Sequence, residues 1–149
     1  MLRDIVQQPR FKQDSNGILK FYDSNRNKYL SATRGEYSFG INHINLTHSR
    51  WMMATGGVLS NITGYKIPRD ATITAISVQT KSSVADCSFN VRINNTVTNL
   101  VSVSMSGEIS KVIDNLDVDL TQNDWIQLYM TVNAGKVDYP ILVIELAWR

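Results

Sequence analysis

From Ser88 to Asn94 the chain alternates with a period of two: Phe89, Val91 and Ile93 fall on one face, Ser88, Asn90 and Arg92 on the other. That is the signature of a strand buried on one side only. The rhythm returns in Leu116, Val118 and Leu120 against Asp117 and Asp119. It runs longest from Trp125 to Val132, where Ile126, Leu128, Met130 and Val132 share a face. Asn94-Asn95-Thr96, Thr121-Gln122-Asn123-Asp124 and Asn133-Ala134-Gly135-Lys136 punctuate these runs, and Asn and Gly accept the positive φ of tight turns. A further strand is expected near Val97 to Met105, closed by Gly107. Tyr139 to Trp148 is apolar on both faces apart from Glu145, which suits the middle of a sheet or a place beneath a neighbouring subunit.

Ala71 to Thr80 is rich in Thr, Ile and Val, but its alternation slips between Ala75 and Ile76. An inserted residue, a β-bulge, accounts for such a slip. Ile109, Val112, Ile113 and Leu116 fall at helical spacing, yet the stretch is short, and a strand over Ile109 to Ile113 is the preferred reading. Short strands at intervals of about 8–12 residues predict an all-β antiparallel sandwich or jelly roll, with a closed barrel as the alternative.

The N-terminal part is less regular. Leu2, Ile5 and Val6 suit one helical turn before Pro9, and Arg10 to Gly17 reads as an exposed extended arm. Ile18 to Tyr22 and Lys28 to Ser31 predict two short strands around the turn Asp23-Ser24-Asn25-Arg26-Asn27, with Glu36 to Ile41 and Arg50 to Ala54 as further candidates. The expected organisation is an N-terminal arm or anchor over residues 1–40 and a sandwich over 41–149.

A chain of 149 residues is long enough to bury about 68–70% of its unfolded surface in one domain. Its net charge of +2 is too small to imply a nucleic-acid partner. No apolar run reaches signal-peptide or membrane-spanning length, so no membrane role is expected. The distribution of charge says more than its sum. Residues 1–70 hold ten Lys/Arg against five Asp/Glu, and residues 71–149 hold five against eight. Eight of the thirteen aromatics also lie in the first part.

Candidate chemistry is sparse. His43 and His48 sit five apart in a polar stretch with no third ligand nearby, which suits solvated loop residues. Cys87 stands alone, so no internal disulfide and no multi-cysteine zinc site is possible. Asp114, Asp117, Asp119 and Asp124 form the one acidic cluster. Calcium between Asp117 and Asp119 is conceivable, but the spacing of a calcium-binding loop is absent. No nucleophile elbow, phosphate loop or zinc-protease motif occurs. The expectation is no catalytic, cofactor or metal site and no enzyme activity. The aromatic and basic N-terminal residues are the feature of interest: Phe11, Phe21, Tyr22, Arg26, Tyr29, Arg34, Tyr37 and Trp51 suit a protein–protein interface. Aromatics serve equally well as core.

The run Phe21-Tyr22-Asp23-Ser24-Asn25-Arg26-Asn27-Lys28-Tyr29-Leu30-Ser31 resembles the opening of small structural proteins of tailed bacteriophages. Gly64 to Ser77 and the ending Asp138 to Arg149 extend the resemblance over most of the chain from about residue 18. It implies a jelly roll of the C1q and tumour-necrosis-factor pattern, a homotrimer, and a place in the virion beside other capsid or tail proteins, assembled in the host cytoplasm. No catalytic residues come with it. The chain lacks a coiled-coil, collagen-like or β-helical shaft, which favours a capsid decoration or head-fibre accessory protein. The alternative is a tail-fibre tip that binds a host receptor or surface glycan.

Overall fold

The computed structural model of the chain describes residues 10–149, which contain fourteen β-strands and no helix. The turn suggested by Leu2, Ile5 and Val6 lies outside the described residues. Two antiparallel sheets form a β-sandwich, and a third, small sheet stands at the N-terminus.

The larger sheet is built on β8 (Ala71–Gln79), β14 (Ile141–Trp148) and β4 (Arg34–Gly40), in that order. Strands β11 (Ser110–Ile113) and β12 (Val118–Leu120) follow one another along the far edge of β8, and β6 (Met53–Ala54) pairs with the end of β4. The apolar run that ends the chain therefore lies in the middle of a sheet, as its two-sided hydrophobicity requires. The facing sheet orders β10 (Val101–Met105), β9 (Asp86–Ile93) and β13 (Trp125–Ala134). On the other edge of β13 lie β5 (Arg50–Trp51) and β7 (Tyr65–Lys66).

The alternating residues do what their period demands. Phe89, Val91, Val103, Ile126, Leu128 and Met130 fill the core from one sheet, and Ile73, Ile76, Val78, Leu142, Ile144 and Leu146 from the other. Residues 34–40, assigned to the arm by sequence, supply an interior strand of the larger sheet, with Phe39 in the core.

The slip in the Ala71–Thr80 pattern is a bulge. Glu145 faces Ala75 and Leu146 faces Ile73, which leaves Thr74 as the extra residue. The insertion lets both Ile73 and Ile76 point inward although they are three apart. Ile109 to Leu116 contains a strand and no helix. The predicted strand at Val97 begins later, at Val101, which pairs with Val91. Asn94 and Asn95 both have positive φ, but the chain then loops outward and leaves Val97 exposed. The cause is polar: Asn99 reaches back to Asn90 Oδ1 at 3.1 Å and accepts from Arg92 Nε at 2.8 Å.

Gly64 is the tightest point of this packing. A Cβ there would lie 2.0 Å from the Ile126 carbonyl oxygen and 2.2 Å from Trp125 Nε1. Gly64→Ala is expected to cost at least about 2 kcal/mol by forcing β7 away from β13. Gly107→Ala meets nothing within 4 Å at its positive φ, and should cost about 1 kcal/mol. Urea unfolding midpoints test this ranking, and equal losses would contradict it.

Candidate functional site

The third sheet is a meander of β1 (Phe11–Gln13), β2 (Leu19–Asp23) and β3 (Lys28–Ser31). Arg10 to Gly17 is thus part of a hairpin. Its turn is tied by the Asp14 carboxylate, which accepts from the Asn16 and Ile18 backbone N–H groups at 2.9 Å each. Phe11 faces Phe21, and Phe21 faces Leu30, in one row across the three strands. Exposure along that row falls from 62% at Phe11 through 46% at Phe21 to 3% at Leu30. Leu19, two residues before Phe21 and therefore on the same face, is 47% exposed. Among the described residues, the far end of the meander carries an exposed apolar face beside the outer edge of β1, where no described strand pairs, and an unpaired edge is a template for pairing.

On the opposite face, Tyr22 and Tyr29 meet edge to face with centroids 5.2 Å apart, and Lys12 lies 4.2 Å over the Tyr29 ring. The Tyr22 hydroxyl donates to Asn27 Oδ1. Lys20 pairs with Asp14 at 2.9 Å. These contacts bind the meander to itself.

Polar side chains bind it to the sandwich. Arg26 Nε donates to the Leu116 carbonyl at 2.6 Å, Nη2 donates to the Thr74 carbonyl at 3.4 Å, and Nη1 pairs with Asp23 Oδ2 at 2.6 Å. Thr74 is the bulge residue, and its carbonyl also accepts from Leu116 N–H at 2.9 Å. The Lys28 ammonium sits 2.7 Å from both Asp117 Oδ1 and Asp119 Oδ1. The place considered for calcium between those carboxylates therefore holds a lysine. Asp119 also accepts from Thr72 Oγ1 at 2.7 Å and pairs with Arg149 at 3.2 Å.

The eight residues proposed as an interface fall in separate places. Phe11, Phe21, Tyr22, Arg26 and Tyr29 belong to the meander, but only Phe11 and Phe21 offer the bare face, while Arg26 is spent on internal bonds. Arg34, at the start of β4, donates to the Ser31 carbonyl and lies 3.6 Å from Glu145. Tyr37 turns toward Tyr65, with ring centroids 4.7 Å apart, and burial followed by the Tyr65 neighbour pushes its phenol above the usual range. Trp51 lies on the other sheet, edge to face with Tyr129 at 5.1 Å, and Arg92 covers both rings. Sequence reading missed Leu19, although the Leu19–Phe21 alternation was there to be read. It also missed Arg92 and Tyr129, which looked like ordinary outward positions.

His43 and His48 are exposed; His43 Nδ1 lies 2.5 Å from the Ile44 carbonyl oxygen, and His48 Nδ1 lies 3.0 Å from Thr47 Oγ1. Cys87 is fully buried, and burial, with Asp86 beside it, pushes its thiol to about 11. At neutral pH it is protonated and inert.

No family model and no curated protein sequence matches the chain. Among solved structures, PRD1 vertex protein P5 is similar with a TM-score of 0.51 and 12% identity, over 99% of this chain and 92% of that one. The structure of FLHE is similar at a TM-score of 0.42 and 10% identity, over 79% of this chain and 100% of that one. The first likeness shows a shared fold, and the second is too low to carry an argument.

The polar attachment of the meander makes its docking depend on pH. Burial raises the Asp119 pKa, but bonds from Lys28 and Thr72 and the charges of Arg149 and Lys28 outweigh it, so the carboxyl titrates below its usual 3.8. Asp23 is lowered likewise: burial opposes, and Arg26 prevails. Carboxyls depressed in the folded state stabilise above their unfolded pKa, and that stability is lost as pH falls through the lower folded value. Hydrogen exchange should show β2 and β3 protected at neutral pH and deprotected in acid below about pH 4, ahead of the sandwich. Lys28→Met should lower that protection at pH 7 and flatten the acid transition. Loss of protection in meander and sandwich together, unchanged by Lys28→Met, would contradict the attachment described.

Proposed function

We propose that this chain is a non-enzymatic structural protein of a tailed-bacteriophage particle, a capsid decoration or head-fibre accessory protein that docks on neighbouring virion subunits through its N-terminal sheet. The observation that carries this reading is the bare face of Phe11, Leu19 and Phe21 on a small sheet set apart from the core. Three short strands are marginal alone, and apolar side chains grouped on one face mark an interaction surface. The fold shared with a vertex protein along nearly the whole chain supports a place in a virion. The resemblance of residues 21–31, 64–77 and 138–149 to phage structural proteins supports it independently.

A binding role is also favoured over an enzymatic one by the fate of the chemical candidates. Asp117 and Asp119 are both engaged by the Lys28 ammonium, and the one thiol is buried and protonated. For a homotrimer, the outer face of the larger sheet offers the contact. Val112 and Val143 lie in one row across Ser77, with Val112 68% exposed and nearby Ile141 55% exposed.

The test is the double substitution Phe11→Ser, Phe21→Ser. Both side chains are exposed, so the thermal midpoint should stay within a few degrees of the parent, as for surface changes of about 0.5 kcal/mol. Incorporation into particles should fall to background. Normal incorporation of the folded variant would overturn the reading.

A further inference from the structure

On the smaller sheet, at the start of β13, an open cavity of about 450 Å³ is lined by Ile62, Thr63, Lys66, Asn94, Asn123 and Trp125, together with Gly64. Its size falls within the range of small-ligand sites. It lies on a different sheet from the one that holds the meander, and no role described above uses it.

The cavity is stiff. Trp125 is held from both sides: it pairs with Lys66 of β7, and its carbonyl accepts from the Asn94 N–H, just past β9, at 3.0 Å. Its indole rests on Gly64, where no side chain fits. Asn94 is locked at both ends of its amide: Nδ2 donates to Asp124 Oδ1 at 2.8 Å, and Oδ1 accepts from Trp125 N–H at 2.9 Å. Asn94 and Asn123 both sit in turns at positive φ. A site built on strand ends and tied turns holds its geometry better than one on free loops.

Around this fixed indole stand the hydroxyl of Thr63, the ammonium of Lys66 and the amide of Asn123, whose side chains make no hydrogen bond among the described residues. The combination is one flat apolar surface with unpaired donors and acceptors at its rim. A pyranose ring has the matching shape: C–H bonds on one face meet the negative face of an aromatic ring, and hydroxyls radiate around the edge. An apolar peptide would find only Ile62 and the indole. A nucleic-acid backbone would find one cation, where affinity needs several. The Asp124 carboxylate is already held by Asn94 and by the Thr121 backbone N–H, so the cavity presents no free acid for glycoside cleavage. We propose that this cavity binds a pyranose unit of an oligosaccharide, stacked on Trp125 and held by Thr63, Lys66 and Asn123.

The isolated, isotope-labelled chain is titrated with tri-N-acetylchitotriose, a neutral sugar, and with trigalacturonic acid, an anionic one, while the three indole N–H resonances are followed by NMR. The Trp125 signal should shift saturably with at least one of them, and those of Trp51 and Trp148 should stay in place. Asn123→Gly, which keeps the positive φ, should weaken that binding about tenfold. If the anionic sugar is the ligand, Lys66→Ala should weaken it as much; if the neutral one, much less. No saturable shift with either sugar, equal shifts of all three indoles, or unaltered binding by Asn123→Gly would overturn the proposal. The outcome is independent of the virion reading, because sugar binding is measured on the free chain and incorporation on particles.

Discussion

One extra residue, Thr74 in β8, governs both how the sandwich closes and how the N-terminal sheet attaches to it. Without the insertion, Ile73 and Ile76 would face opposite sides, and one of them would lie in solvent. With it, both enter the core, while the Thr74 carbonyl is turned out of the β8–β14 ladder. That carbonyl takes bonds from Leu116 N–H and from the Arg26 guanidinium. An unpaired backbone acceptor would be costly if buried bare; here it becomes the anchor point for a separate element. The bulge thus links the hydrophobic pattern of one strand to the placement of the surface argued to be functional.

The attachment it serves is polar and local. Arg26 and Lys28 project from the turn and first strand position after it, and they meet the edge of the larger sheet at Thr74, Leu116, Asp117 and Asp119. Apolar burial is concentrated at Leu30, next to the sandwich, and fades toward Phe11 at the far edge. Such a gradient describes an element held at its base and uncovered at its tip. Aromatic residues there that would normally be buried are exposed, as the proposed docking on a partner requires.

Much of this was legible in the sequence. The period-two runs of β9 and β13 identified their inward faces because apolar side chains alternate with polar ones, although the polar Asn90 and Gln127 are buried as well. The two-sided run of β14 marked a central strand for the opposite reason. The slip in β8 announced a bulge, though its position depends on pairing with β14, which no local pattern records. The interface residues were harder. Phe11, Tyr37 and Trp51 look alike as exposed-or-core aromatics, and only the tertiary fold sends one to a free tip, one against Tyr65 and one to the facing sheet. Arg26 read as an interface residue and Lys28 as one of the interleaved charges, because their partners on the sandwich lie 48 to 91 positions away. The strand expected near Val97 to Met105 begins only at Val101, because side-chain bonds among Asn90, Arg92 and Asn99 hold the loop out, a preference outside backbone propensity.

The central claim is that the face of Phe11 and Phe21 is covered in the assembled particle. Hydroxyl-radical footprinting read by mass spectrometry measures it directly, by comparing oxidation of these two rings in the free chain and in purified particles. The account predicts strong protection of both in the particle, with exposed Tyr139, at the other end of the sandwich, serving as a reference. Equal oxidation of Phe11 and Phe21 in both states would contradict it.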